Sequence, residues 1–393
     1  MSPTTTTTTT TLPPEMLAAQ LTAFNTAPVV QTTKTPSPSD LGPYDLLLRT
    51  AVASLCHTDL MVQAGFMPLR NGLPMTLSHE GTGVVVATGD AVPEEEFKAG
   101  DRVMSGITFR GCGKCENCLA PRERDWRQYC FAAEGATGVV TDGAFAEFHV
   151  VDARSSCKVP DGVGFLTAAP LACAGVTVYR ALKVSGVVAQ QRQGPEGEGE
   201  GEEGGGGGGG RRWIGIVGAG GGLGHFAVQF AKAAGLTVVA VEARDEALAI
   251  ARKYGADHVL DARDGSEKVL AQVRAITPDG AGVDATINVS DHASSAALAA
   301  SMTRSHGTVV QAAQPPEVTV RFEDIVLRDV TIKGTAHGGK AVAEEMLATV
   351  ARHGVVAETQ IFNGLGEVPR MFELLHKGEV RGKAVCVVAE DLV

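Results

Sequence analysis

The sequence predicts an α/β chain in two unlike parts, a mostly-β body and a doubly wound parallel sheet. Three observations carry that prediction. Short β-favouring segments separated by glycine-containing turns fill residues 44–151, while from Trp213 onward strand-like and helix-like patterns alternate. At 393 residues the chain exceeds one ordinary core. Its balance, 44% hydrophobic and 20% charged, is that of a globular protein able to bury two.

In chain order, residues 1–40 are rich in Thr, Pro and Ser and read as a low-complexity N-terminus, with at least the first dozen disordered. Tyr44 to Leu55 is β-favouring and leads into Cys56. GTGVVVATG, GDRVMSG and GAFAEFHVV follow as short strands. In the second half Trp213–Val217 is a buried strand, and a glycine turn then opens a helix over Leu223–Ala234. Strands at Thr237–Val241, His258–Leu260, Val283–Asn288 and Thr308–Ala312 alternate with helices near 245–254, 266–276 and 293–303. Beyond about residue 325 one more strand, helices at 340–353 and 367–377 and a last strand at Ala384–Val388 are expected. Between the halves, residues 190–212 are Gly/Glu-rich with nothing apolar to bury, so a solvated, flexible and dispensable loop expansion is expected.

Charge and hydropathy exclude several classes of function. A net charge of −11 leaves no basic surface for nucleic acid. No apolar run is expected to reach bilayer-spanning length, and MSPTTTTTTTTLPPE lacks the basic and apolar regions of a signal peptide. The expected compartment is therefore the cytoplasm, where the eight cysteines are thiols or metal ligands.

Cysteine spacing then suggests the chemistry. Cys112, Cys115 and Cys118 stand at two-residue gaps and Cys130 follows after eleven residues, a set suited to a closed, structural zinc site. Cys56, His79 and Cys173 lie far apart, yet each sits among small residues, in SLCHTDL, LSHEGTG and PLACAGVTVYRAL. Three such ligands would leave one zinc position open for water or a substrate oxygen. Glu80 is placed to be a fourth, exchangeable ligand, and Asp59 to accept the second ring N–H of His79. Lone cysteines and histidines are usually packing residues, and Cys157, Cys386, His149, His258, His306, His353 and His376 are read so.

GIVGAGGGLGH follows a strand and opens a helix, the setting of a dinucleotide turn. The fit is Gly218, Gly221 and Gly224 with one residue added, and the amides of Gly222 and Leu223 join the helix N-terminus that receives a pyrophosphate. Glu242, eighteen residues past Gly224, would bind both ribose hydroxyls and repel a 2′-phosphate, favouring NAD. Arg244 could instead pair with that phosphate, which leaves NADP open.

Together these residues resemble the zinc-containing alcohol dehydrogenases of the medium-chain dehydrogenase/reductase superfamily. HEGTGVVVATGDAV is similar to the family's zinc signature, and CHTDL, the cysteine cluster, CAGVTVYRAL and the glycine turn recur in family order over residues 40–390. The resemblance implies a GroES-like catalytic domain over 41–183 and 325–393, split around a Rossmann NAD-binding domain over 184–324. It implies a catalytic zinc on Cys56, His79, Cys173 and, without substrate, Glu80. Thr58 would take the alcohol proton, His57 would lie near the pyrophosphate, Thr177 against the nicotinamide, and Lys383 near the phosphates.

Three departures are visible. The last gap of the cysteine cluster is four residues longer than the family's seven, Met61 stands where many members place a proton-relaying His, and Met67 where the small-alcohol enzymes place a narrowing Trp. The expected activity is hydride transfer between NAD(H) and an alcohol/carbonyl pair larger than ethanol, with two zincs per chain in a homodimer or homotetramer. The alternatives are a non-catalytic cofactor-sensing or structural module on the same fold, and an NADPH-dependent or zinc-free reductase of the superfamily. Retention of every inner ligand and of Thr58 argues against the first, and retention of Cys56 and the cysteine cluster argues against a zinc-free reductase.

Overall fold

The computed structural model describes residues 12–122, 124, 126–188 and 211–393. The expectations for the first eleven residues and for most of the 190–212 insertion lie outside the described residues. The remainder is α/β, with a GroES-like catalytic part built from both ends of the chain and a Rossmann part between them.

The catalytic part is organised on the strand Asp45–Ser54. Its Leu-rich first half and Ala/Val-rich second half are buried everywhere but Arg49, so it must be central. It pairs antiparallel with Glu80–Thr88, with Phe148–Asp152 and, across nearly the whole sequence, with Lys383–Val387. Ser54 lies opposite both Glu80 and Val385. That register brings three distant segments to one end of one sheet, two residues ahead of Cys56.

Two boundaries differ from the sequence-based expectation. Residues 15–34 are not merely a tail: Glu15–Leu21 and Val29–Lys34 form an antiparallel pair, and Leu21 also faces Met75. Buried Met16, Ala18, Ala19 and Leu21 carry this, and the Thr/Pro/Ser composition masked it. The Rossmann sheet also runs past 325, since Thr331–Gly334 is its sixth strand. A further strand, Thr359–Asn363, pairs parallel with Lys383–Val387 and was not expected. Only Phe362 in it is buried, too weak a pattern to read.

The Rossmann sheet is parallel throughout, in the spatial order His258–Asp261, Thr237–Glu242, Trp213–Val217, Val283–Asn288, Thr303–Gln311, Thr331–Gly334. Chain direction switches sides between Trp213–Val217 and Val283–Asn288, where such sheets open a ligand crevice. One stretch corrects the reading of hydropathy: Phe165–Val184 is apolar and long enough to cross a membrane, but it is 78% buried as a core helix at the junction of the two parts.

Candidate active site and metal centres

Cys56, His79, Glu80 and Cys173 converge, with one donor atom from each lying within 4.8 Å of every other. Cys56 ends the central sheet segment and opens the helix His57–Gln63. Asp59 in that helix ties the loops together: Oδ2 accepts the Cys56 amide at 2.8 Å and Oδ1 the Ser78 amide at 3.0 Å. Its Oδ1 lies 3.9 Å from His79 Nδ1, so the expected histidine–carboxylate hydrogen bond is not formed; the two backbone amides occupy the carboxylate instead.

Ser78 adopts a left-handed φ of 74° where the resembled signature has glycine. Its conformation is held from three sides, by Asp59, by Oγ donating to Ser54 O at 2.9 Å, and by its carbonyl accepting the Ala144 amide at 2.8 Å. Cys173 lies in a π-helical turn, Leu171–Gly175, directly after Pro170, which has no amide to continue the α-helical ladder. Thr177 begins the next helix and is buried.

The electrostatics mark this as a cation site. The hydrogen-bonded Cys173 thiol holds Cys56 well below the usual thiol range against its burial, with Lys383 and His79 adding to the effect. Cys173 is correspondingly driven up by Cys56 and by burial. His79 is pushed up to about 9: burial opposes its charge, but the Cys56 thiolate, Asp59 and Glu80 outweigh it. Two thiols, an imidazole and a carboxylate, with donor atoms within 4.8 Å of one another, fit zinc by donor type and number.

Lys383 joins the glycine turn to this cluster. Its ammonium is buried and donates to Glu80 Oε1 at 2.8 Å, and its stem passes Gly222, with Cδ 3.1 Å from where a Cβ on that glycine would stand. It thus spans from the glycine turn to the metal cluster.

The second cluster also assembles. Cys112, Cys115, Cys118 and Cys130 bring their sulfurs within 4.8 Å of one another, with Cys130 Sγ 3.8 Å from Cys115 Sγ and accepting the Cys112 amide at 3.4 Å. The longer last gap therefore does not displace Cys130. Arg127–Tyr129 forms a short 3-10 turn directly ahead of Cys130.

In the glycine turn, Gly218 has φ 86°, and a Cβ on Gly224 would come within 2.1 Å of Gly218 O. Gly220, which the fingerprint fit passed over, is the tightest: a Cβ there would meet Ala247 O at 1.9 Å. Gly221 packs on nothing closer than Gly218 O at 3.6 Å, so its missing side chain leaves an open face at the helix N-terminus. With Gly222, Leu223 and Gly224 ahead of the first helical bond, that face suits a pyrophosphate. Glu242 ends its strand beside the turn, its carboxylate accepting the Gly220 amide at 3.2 Å and the Ala243 amide at 2.8 Å. His57 is exposed at the start of its helix.

The model of the alcohol dehydrogenase GroES-like domain matches residues 42–161, and that of the zinc-binding dehydrogenases residues 222–352. Alcohol dehydrogenase 1 of Emericella nidulans is 34% identical over 89% of this chain and 92% of its own, and an alcohol dehydrogenase of Geobacillus stearothermophilus 33% identical over 96% and 100%. The chain belongs to the zinc-dependent alcohol dehydrogenases. It is an oxidoreductase of alcohols and their carbonyl products. The crystal structure of the alcohol dehydrogenase from the archaeon Aeropyrum pernix superposes with a TM-score of 0.76 at 30% identity, covering 94% of this chain and 99% of that one. A cinnamyl alcohol dehydrogenase from Sorghum bicolor superposes with a TM-score of 0.76 at 26% identity, covering 96% and 98%.

The sequence did not single out Gly220 or His225, nor the pairing of Lys383 with Glu80. Gly220 was hidden by its neighbouring glycines, and the Lys383–Glu80 pair joins positions 303 residues apart with no local signal. His225, buried just behind the glycine turn, had only its place in the first turn of the helix to mark it.

Proposed function

We propose that the enzyme transfers hydride between NAD(H) and an alcohol or carbonyl compound bulkier than ethanol, at the Cys56–His79–Cys173 cluster. The single observation that carries the site assignment is the convergence of those donors with Glu80 within 4.8 Å. Zinc held there would supply Lewis acidity toward a substrate oxygen, and a second zinc on Cys112, Cys115, Cys118 and Cys130 would brace the lobe.

The protein's own residues supply the rest. Thr58 Oγ1 lies 3.9 Å from Cys56 Sγ, half-buried on the first turn of its helix, and is the hydroxyl available to take the substrate proton. Asp59 holds the Cys56 and Ser78 segments in register, and Lys383 holds Glu80. Thr177 would bound the nicotinamide end of the crevice, and His57 would lie on the pyrophosphate side. Glu242 would accept the ribose hydroxyls. Its position argues for NAD, so the wild type should prefer NADH over NADPH in kcat/KM, and Glu242→Ala should narrow that ratio by about 10–100-fold, the worth of charged hydrogen bonds. A wild type that uses both equally would reject the NAD assignment.

Substrate size rests on Met67, half-buried against the cluster that contains Leu77 and Val139, and flexible enough to yield to bulky groups. Of the two aromatic side chains that could refill the space, Phe66 is 74% exposed and does not, which leaves the buried Phe109. The similarity to a cinnamyl alcohol dehydrogenase supports the same reading. Aromatic or extended aldehydes should exceed acetaldehyde in kcat/KM, and Met67→Trp should shift that ratio back by about 10–100-fold, the span of a few kcal/mol of pocket discrimination. Acetaldehyde as best substrate, indifferent to Met67→Trp, would refute the wide pocket.

A homodimer or homotetramer accords with the open edge of the Rossmann sheet. Thr331–Gly334 has a strand neighbour on one side only, and Phe322, Val326 and Leu327 beside it are largely exposed. A cytoplasmic setting accords with six of the eight cysteines standing in metal-ligand clusters.

A further inference from the structure

His225 is fully buried in the first turn of the helix Gly224–Ala233 and uses both ring nitrogens. Its Nδ1 lies 3.0 Å from Gly221 O in the glycine turn, and its Nε2 accepts the Glu358 amide N–H at 3.1 Å. Only an unprotonated nitrogen accepts an N–H, so Nε2 is bare and Nδ1 donates to the Gly221 carbonyl. Burial pushes its pKa down to about 4, which keeps that tautomer at neutral pH.

Glu358 belongs to the catalytic part, and its amide, its carbonyl and its carboxylate Oε2 are all engaged. Its carbonyl accepts the Lys383 amide at 2.8 Å, and its carboxylate accepts Tyr254 Oη–H at 2.6 Å and Lys253 Nζ at 2.5 Å. Lys383 in turn runs past Gly222 to Glu80. A continuous path thus leads from the Gly221 carbonyl through His225, Glu358 and Lys383 to the carboxylate of the metal cluster.

We propose that His225 is a positioning residue that fixes the spacing between the glycine turn of the Rossmann part and the Lys383–Glu80 segment of the catalytic part. The inference rests on the assignment of that turn to the cofactor. A buried imidazole suits the role because it spans two backbone groups with no side-chain freedom left, and because its fixed donor and acceptor permit only one arrangement. The ring also packs on Phe226 and Tyr254, so the link is braced on its faces as well as its edges.

Two substitutions separate the two hydrogen bonds. His225→Gln keeps an acceptor near the Nε2 position, toward Glu358. His225→Asn keeps a donor near the Nδ1 position, toward Gly221, and stops short of Glu358. In the holoenzyme, amide hydrogen exchange at Glu358 should be about tenfold faster in His225→Asn than in wild type, with kcat down about tenfold, and both should stay within about threefold in His225→Gln. NADH affinity, read by fluorescence quenching, should fall less than kcat in His225→Asn, because the turn itself is intact. Unchanged exchange in His225→Asn, faster exchange with unchanged kcat, or equal losses in both variants with a lowered Tm would each overturn the proposal. A failed cofactor assignment would show differently: wild type would not bind NADH, while the exchange contrast between the variants would persist.

Discussion

Thr58→Val should lower kcat/KM for alcohol oxidation by about 10²–10⁴-fold, the usual contribution of a positioned proton acceptor. Valine matches threonine in shape but cannot accept or pass a proton. Thr58 is half-buried on the first turn of the helix that Cys56 opens, and its hydroxyl sits 3.9 Å from the Cys56 sulfur. The substitution leaves Asp59 and both of its amide contacts in place, so the ligand loops should keep their geometry. Steady-state kinetics beside elemental analysis make the check: activity should collapse with zinc content unchanged, and Thr58→Ser should recover most of it. Retention of activity within about fivefold in Thr58→Val would assign the proton to another group. Met61 cannot be that group, since a thioether does not titrate.

Lys383→Met should have the second largest effect, on stability. The Lys383 ammonium and the Glu80 carboxylate are both buried, and each nitrogen-to-oxygen distance is below 3 Å. Removing one member of such a pair strands the other, at a cost of about 3–5 kcal/mol. Protonation caps that cost, because burial already pushes Glu80 up to about 7 with the lysine beside it. The double substitution Lys383→Met/Glu80→Gln removes both charges and should recover most of the loss. Urea unfolding of the three proteins tests this. A Lys383→Met midpoint equal to wild type would mean that the ion pair does not hold Glu80.

Much of the fold was legible because its signals are local. Trp213–Val217, the helices at 266–276 and 340–353 and the parallel alternation follow from periodicity and turn residues, and the observed bounds agree closely. What escaped is non-local or compositionally masked. The Glu15–Leu21 strand hides behind a Thr/Pro/Ser-rich leader, and Thr359–Asn363 is half-exposed and held by pairing with Lys383–Val387. The site divides the same way. Cys112, Cys115 and Cys118 announce themselves by spacing, whereas Cys56, His79 and Cys173 needed a family resemblance to be joined, and a sheet register to be understood. The paired amides on Asp59, the Lys383–Glu80 pair and the His225 bridge depend on backbone approach between segments that no sequence spacing records.

We assign one of the two four-ligand clusters as the reaction centre and the other as a brace. Zinc stoichiometry with activity, measured on wild type, His79→Ala and Cys115→Ser, tests it most directly. The expected result is about two zincs per chain in wild type and about one in each variant, the closed and open sites being independent. Activity should vanish in His79→Ala and persist in whatever Cys115→Ser protein remains folded. Wild type with a single zinc that survives His79→Ala, or a His79→Ala enzyme that still oxidises alcohols, would contradict it.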